Sequence, residues 1–307
     1  MPRSLQSILS QDQSALAAAL GLPTSTARIE IQSLLLHAMK VTRAHLLAYP
    51  EQILCKDEET HYQTLLQRRL RGEPIAYLLG EREFFGLMFT VTPATLIPRP
   101  ETELLVELAL QRIPVSRPNG PPLPQAGRAK RGGRSRPGER EVFRVLDLGT
   151  GSGAIALSIA HARPDIEVVA VDASIDALTV ARENVQRLGI GNAVFAQSDW
   201  YAALHAQRFD LIVSNPPYVA LDDPHLIRGD LRFEPASALA SGNDGLKDIR
   251  HIAAHAREHL QAGGWLLLEH GYNQASQVRE LLRQADFRDV FSERDLAGIE
   301  RVSGGRL

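Results

Sequence analysis

Asn215-Pro216-Pro217-Tyr218 brings together residue types that suit a narrow chemistry. A planar –NH2 group, on an amide or a nucleobase, is a poor nucleophile because its lone pair is delocalised. The Asn215 side-chain oxygen and the Pro216 carbonyl can accept its two N–H hydrogens and turn the lone pair outward. Tyr218 can stack on the flat group from the other side. Pro216 and Pro217 fix φ and donate no backbone hydrogen bond, so the four residues form a rigid holder. The same letters also spell an ordinary Pro-Pro turn. What lies upstream decides between the two readings.

Asp147-Leu148-Gly149-Thr150-Gly151-Ser152-Gly153 follows an apolar run and opens a helical one. Glycines there allow a tight turn and close approach of backbone to a ligand. The spacing is G-x-G-x-G, not the G-x-G-x-x-G of dinucleotide sites. With Asp147 two residues ahead, it suits an amino acid–bearing nucleoside better than a pyrophosphate. Asp172 ends the next apolar run, about 20 residues beyond the glycines, where a carboxylate can accept both ribose hydroxyls. Capping of the following helix falls more naturally to Ser174 or Asp176. Asp199 can accept adenine amino hydrogens, and Trp200 can pack on the ring, although a plain core role for Trp200 competes. Together these residues read as an S-adenosylmethionine site facing an amino-group nucleophile.

The elements that must position them alternate strand and helix from residue 141 onward, as a doubly wound sheet requires. Strands are predicted over 142–148, 167–171, 193–197, 209–213 and 265–269, and helices over 154–162, 177–188, 249–260 and 277–285. Every site residue then falls at a strand's carboxyl end, the edge where open α/β sheets bind ligands. Glu269 and His270 are read as ending a strand in a structural role.

Residues 1–72 read as a helical bundle. Ile29, Leu34, Leu35, Ala38 and Met39 recur at helical spacing, as do Tyr62, Leu65, Leu66 and Leu70. Residues 73–99 form a linker whose Glu83–Val91 stretch, aromatic around Gly86, reads as a β-hairpin. Residues 100–307 form the catalytic domain. It is interrupted at about 114–140 by a Pro-, Gly- and Arg-rich insertion too poor in large apolar residues to order itself. Its basic character reads as a solvated face, with RNA contact as the sharper alternative.

With 34 Lys and Arg against 36 Asp and Glu, the chain has no global pull toward nucleic acid. The single cysteine, Cys55, excludes an intrachain disulfide and any multi-cysteine metal site, and is read as a small buried hydrophobe. No signal peptide is visible, and no run approaches the ~18 apolar residues that span a bilayer. A cytoplasmic protein without metal is expected.

The chain resembles the class I S-adenosylmethionine-dependent methyltransferases that carry an N-P-P-Y motif. More closely, it is similar to the bacterial peptide chain release factor N5-glutamine methyltransferases. The resemblance runs through residues 72–77, 96–103, 147–153, 214–219, 232–235 and 267–271. It implies an α/β fold: a Rossmann-like class I sheet with a small N-terminal helical domain and a β-hairpin linker. It also implies methylation of the glutamine in the Gly-Gly-Gln loop of release factors, with the N-terminal bundle recognising the substrate protein. Cofactor binding is carried over to Gly149, Thr150, Gly151, Ser152, Gly153, Asp172, Trp200 and Asn215, beside Asp199, which is read from its strand-end position. Catalysis and glutamine binding fall to Asn215, Pro216, Pro217 and Tyr218. A sister family methylates a glutamine of a ribosomal protein, but usually differs at the segments matching 99–103 and 269–271. Methylation of adenine in nucleic acid uses the same tetrapeptide, yet would require the base to be flipped out and a basic groove to receive it.

Overall fold

The computed structural model describes residues 3–114 and 142–307. Apart from its first residue, the basic insertion expected at 114–140 lies outside the described residues. The chain divides into two compact units: Met1–Arg82 with Ile227–Phe233, and Glu83–Leu226 with Glu234–Leu307.

The first unit is helical: α1 (Leu5–Leu20), α2 (Thr24–Met39), α3 (Arg43–Ala48), α4 (Lys56–Leu70) and α5 (Ile75–Leu79). Helix α1 begins at Ser4, whose hydroxyl accepts from Ser7 N, and ends at Gly21 in the left-handed conformation. Apolar residues three and four apart turn one stripe of each helix inward. Leu5, Ile8 and Leu16 meet Ile31, Leu34 and Leu35, and Tyr62, Leu65 and Leu66 close the core. Two charged groups are buried with partners. Asp12 accepts from the Tyr62 hydroxyl at 2.8 Å and pairs with Arg3 at 2.7 Å. Arg69 grips Glu30 through two bonds of 2.7 and 3.1 Å and reaches Asp230 at 3.1 Å, holding the 227–233 segment within this unit.

Two expectations need correction here. Ile29 is 62% exposed, and its place in the core is taken by Ala27 and Ile31. Cys55 is exposed rather than buried, because it sits just ahead of α4. Its N–H is taken by the Glu58 carboxylate at 2.8 Å.

The hairpin forms at β1 (Glu81–Phe84) and β2 (Leu87–Thr90), and Phe85 and Gly86 both take positive φ at its turn. Helix α6 (Glu103–Arg112) follows. The main sheet then contains β3 (Arg144–Leu148), β4 (Glu167–Asp172), β5 (Ala193–Gln197), β6 (Phe209–Ser214) and β7 (Leu260–Glu269), with β8 (Arg288–Arg294) and β9 (Glu300–Arg306). Helices α7 (Ala154–Ala162), α8 (Ile175–Leu188), α9 (Lys247–His259) and α10 (Ala275–Gln284) connect them. Sheet order is β5-β4-β3-β6-β7-β9-β8. The first five strands are parallel and the last two pairings antiparallel. Period-two alternation feeds two cores. Val145, Val168, Leu211 and Val213 face one, with α6 and α7; Leu146, Val169 and Ile212 face the other, with α9 and α10.

Strands β8 and β9 are the elements that sequence patterning missed. The Ser303-Gly304-Gly305 run looks hostile to a strand. Yet a Cβ on Gly304 would stand 2.6 Å from Leu267 Cδ2 and 2.9 Å from the Leu266 carbonyl oxygen. Glycine is there because β9 inserts tightly beside β7. No helix among the described residues is long and apolar enough to cross a membrane.

Candidate active site

Register brings the site together. Leu148 of β3 lies opposite Val171 of β4 and Ser214 of β6, while Ser214 lies opposite Leu268 of β7. One residue further on, Gly149, Asp172, Asn215 and Glu269 therefore stand abreast at the carboxyl edge. Ser198 joins them, because Gln197 of β5 pairs with Asp172 and Ser198 N donates to the Asp172 carbonyl. Strand order runs outward from β3 to β5 on one side and from β6 on the other. The cleft thus opens where the winding of the sheet reverses, the usual ligand position in such sheets.

The cleft has a volume of about 490 Å³. Of the residues singled out from sequence, Gly149, Thr150, Gly151, Ser152, Asp172, Asp199, Trp200, Asn215 and Pro217 line it. Gly153, Pro216 and Tyr218 do not. Gly153 ends the turn with φ +83°, and a Cβ there would crowd Leu157 at 3.1 Å, so its role is to seat α7. Pro216 is buried, and its carbonyl accepts no hydrogen bond among the described residues.

The turn is held from below and from the side. Gly149 N and Thr150 N both donate to the Val171 carbonyl, and the Thr150 hydroxyl donates to Asp147 at 2.7 Å. Asp147 is fully buried beneath the turn, and burial pushes its carboxyl up to about 7. Asp172 accepts from Gly151 N at 2.8 Å and Ser174 N at 2.9 Å. Ser174, as expected, caps α8. Each Asp172 oxygen keeps a lone pair for a further donor. The Trp200 ring stands against Gly149, where an added Cβ would approach it to 3.5 Å. Trp200 takes a left-handed φ of +47°, and the Ser198 hydroxyl donates to its carbonyl at 2.7 Å. The Asp199 carboxylate accepts no hydrogen bond among the described residues, although it lines the cleft.

Asn215 is oriented by a residue to which sequence reasoning gave no role. Its Nδ2 donates to the Thr102 hydroxyl oxygen at 3.2 Å, while Oδ1 accepts nothing among the described residues. Thr102 is buried and also lines the cleft. Its segment is anchored by Glu234, which is bonded to the Arg99 guanidinium and accepts from Ile97 N at 3.2 Å. The Tyr218 hydroxyl donates to Glu269 at 3.2 Å, and its ring packs against the apolar cluster under α9. Glu269 is 1% exposed, and burial pushes its carboxyl up to about 7, opposed by the Thr102 and Tyr218 hydroxyls and by Arg301. His270 is fully buried, with Nε2 2.8 Å from the Ser303 hydroxyl. Thr102 and Glu269 fall in segments that carry the family resemblance, but their roles are not visible in a short window, because their partners lie 113 and 51 residues away. Among the described residues, no cluster of His, Cys, Asp and Glu is arranged for a metal.

A glycine turn and a strand-end amide stand abreast at the carboxyl edge of the sheet, and the fold is that of the Rossmann-like methyltransferases. Comparison with known proteins narrows this. Residues 138–229 match the family model described as Methyltransferase small domain, and residues 8–80 match the PrmC N-terminal domain. Release factor glutamine methyltransferase of Bordetella pertussis is 50% identical over 94% of this chain and 96% of its own length. The proteins of that name from Xylella fastidiosa (strain Temecula1) and Escherichia coli are 47% and 45% identical; each alignment covers 91% of this chain, and 93% and 92% of theirs respectively. Among solved structures, a methyltransferase from Pyrococcus furiosus is 18% identical, covering 80% of this chain and 98% of its own, at a TM-score of 0.49. The chain belongs to the release factor glutamine methyltransferase family.

Proposed function

We propose that this chain transfers the methyl group of S-adenosylmethionine to the side-chain amide nitrogen of the glutamine in the Gly-Gly-Gln motif of peptide chain release factors. The observation that carries this reading is the polarity of Asn215. With Nδ2 committed to Thr102, the cleft is offered an acceptor, which is what an incoming –NH2 group needs.

The residues present fit the cofactor. Gly151 lines the cleft, and a Cβ there would enter open space, so backbone is left bare to a ligand. Asp172 is already positioned by two backbone N–H groups and would take the ribose hydroxyls. Asp199 would take the adenine amino group, and Trp200 would cover the ring. When bound, the cofactor supplies a methyl group on a sulfonium, itself a good leaving group. Asn215 Oδ1 and the Pro216 carbonyl would accept the two amide hydrogens and favour the positive charge that grows on nitrogen. Holding the lone pair in line supplies most of the acceleration. No general base is required, because an N-alkylated amide cation is acidic enough to lose its proton afterwards. Residues 1–72 would recognise the release factor, and the hairpin in 73–99 would join them to the catalytic domain of 100–307.

Mass spectrometry of release-factor peptides after incubation with labelled cofactor tests this. Label on the Gly-Gly-Gln glutamine, lost when that glutamine is changed, supports the reading. Label on RNA or on a ribosomal protein in its place overturns it.

A further inference from the structure

Asn215 can present either edge of its amide to the cleft, since oxygen and nitrogen differ little in size. Only one edge works: with Nδ2 facing the substrate, two donors would meet. Something must therefore fix the orientation. The bond to Thr102 cannot do so alone, because a hydroxyl both donates and accepts. If Thr102 aimed its proton at Asn215, it would select the wrong edge.

The next strand supplies the missing instruction. Register places Glu269 of β7 abreast of Asn215, buried, with Oε1 accepting from Tyr218 at 3.2 Å. Its Oε2 is buried without a hydrogen-bonding partner among the described residues, and the Thr102 hydroxyl acts on the carboxyl to favour its charged form. A carboxylate accepts only. In its charged form it would draw the Thr102 proton toward itself and leave the Thr102 lone pairs for Asn215 Nδ2. Tyr218, the last residue of the motif, is held by the same carboxylate.

We propose that Glu269 is a positioning residue: acting through Thr102 and Tyr218, it sets which edge of the Asn215 amide faces the acceptor nitrogen. The proposal rests on the methyl-transfer reading of the cleft. It makes the protonation of Glu269 a determinant of kcat. A protonated Glu269 can donate to Thr102, which then donates to Asn215 Oδ1 and turns Nδ2 into the cleft. The charged groups around Glu269 are Arg301 on β9, which favours the carboxylate, and Glu101 ahead of α6, which opposes it. Arg99 acts on Tyr218, and His270 is held toward its neutral form by burial. With the Glu269 carboxyl pushed up to about 7, the change of state falls in an accessible range.

Three variants of the full chain test the proposal: Thr102→Val, Thr102→Ser and Glu269→Gln. In Thr102→Val, kcat falls about tenfold while KM for S-adenosylmethionine stays within about twofold. Thr102→Ser, which restores the hydroxyl, recovers most of that loss. In wild type, kcat rises with pH through a limb near 7, and Glu269→Gln removes that limb. Undiminished kcat in folded Thr102→Val, or a limb that persists in Glu269→Gln, overturns the proposal. A second readout needs no acceptor protein. With 15N-asparagine labelling, the Asn215 side-chain amide resonances, assigned by their loss in Asn215→Ala, move with pH around 7 in wild type and do not in Glu269→Gln. Resonances indifferent to pH in wild type count against the proposal even if release factor is methylated. Resonances that titrate while no release factor is labelled leave the positioning role standing and remove the substrate assignment.

Discussion

Asn215→Ala separates chemistry from folding more cleanly than any other change in this cleft. Among the described residues the side chain makes a single hydrogen bond, to Thr102, and at 3.2 Å it is a long one. Asn215 is only partly buried, and the strand before it is anchored elsewhere: the Ser214 hydroxyl donates to the Leu148 carbonyl at 2.7 Å, and β6 is paired on both sides. The stability cost is therefore about 1 kcal/mol or less, one weak neutral hydrogen bond. Loss in the transition state is larger. The alanine variant has no side-chain acceptor for the amide hydrogen at the moment nitrogen becomes positive. Removal of one preorganised hydrogen-bonding group from a reacting centre costs roughly 3 kcal/mol, or about a hundredfold in turnover. Cofactor binding should fall much less than turnover, because Asp172, the glycine turn and Trp200 remain even though Asn215 is itself expected to touch the cofactor. The assay is single-turnover methyl transfer to release factor, run beside thermal unfolding and calorimetric titration with S-adenosylmethionine. Turnover within about threefold of wild type would refute the acceptor role. So would a loss of turnover that simply tracks unfolding.

Asp199→Ala should weaken S-adenosylmethionine binding about tenfold in calorimetry while leaving the melting temperature unchanged, because the carboxylate lines the cleft with no hydrogen bond to lose among the described residues. Gly304→Ala should destabilise by roughly 2–3 kcal/mol in denaturant titration, since its Cβ meets Leu267, the Leu266 carbonyl and Phe291 Cε1 within 2.9 Å. Asp147 and Glu269 are both pushed up to about 7 in the folded protein, above their unfolded values. The folded state then holds more protons than the unfolded between about pH 4.5 and 7, so these groups make stability fall as pH rises through that window and level off above it. Each contributes a slope of about 1.4 kcal/mol per pH unit, and Glu269→Gln should remove one share when unfolding is followed from pH 5 to 8.

Much of this site was legible in sequence because its parts are locally encoded. A strand followed at once by G-x-G-x-G, or by Asn-Pro-Pro-Tyr, carries its backbone geometry within a few residues. Helix 154–162 and strand 193–197 were read with the bounds the structure has. Ends that depend on packing drifted: β7 begins at Leu260 rather than 265, at a point where the sequence still reads as helix. Cys55 and Ile29 were misread for the same reason, since apolar type does not tell which positions packing covers: Ile29 lies on the exposed side of α2, and Cys55 just ahead of α4.

From the residues alone came the chemistry: an acceptor pair for an amino group, a bare glycine turn and a carboxylate one strand over. These follow from side-chain type and short spacing, which no long-range contact alters. Only the tertiary structure decided that the Asn215 amide donates to Thr102 and keeps its oxygen without a partner among the described residues. That polarity depends on Thr102 before α6 and is set beside Glu269 on β7, residues brought abreast by strand order and register. Strand β9, inserted between β7 and β8 through glycines that no strand propensity favours, packs along the edge that carries Glu269. The physical reason is range. Turns and caps are satisfied by neighbours in the chain, whereas the direction of a hydrogen bond in a buried network is set by whichever group the fold delivers to its far end.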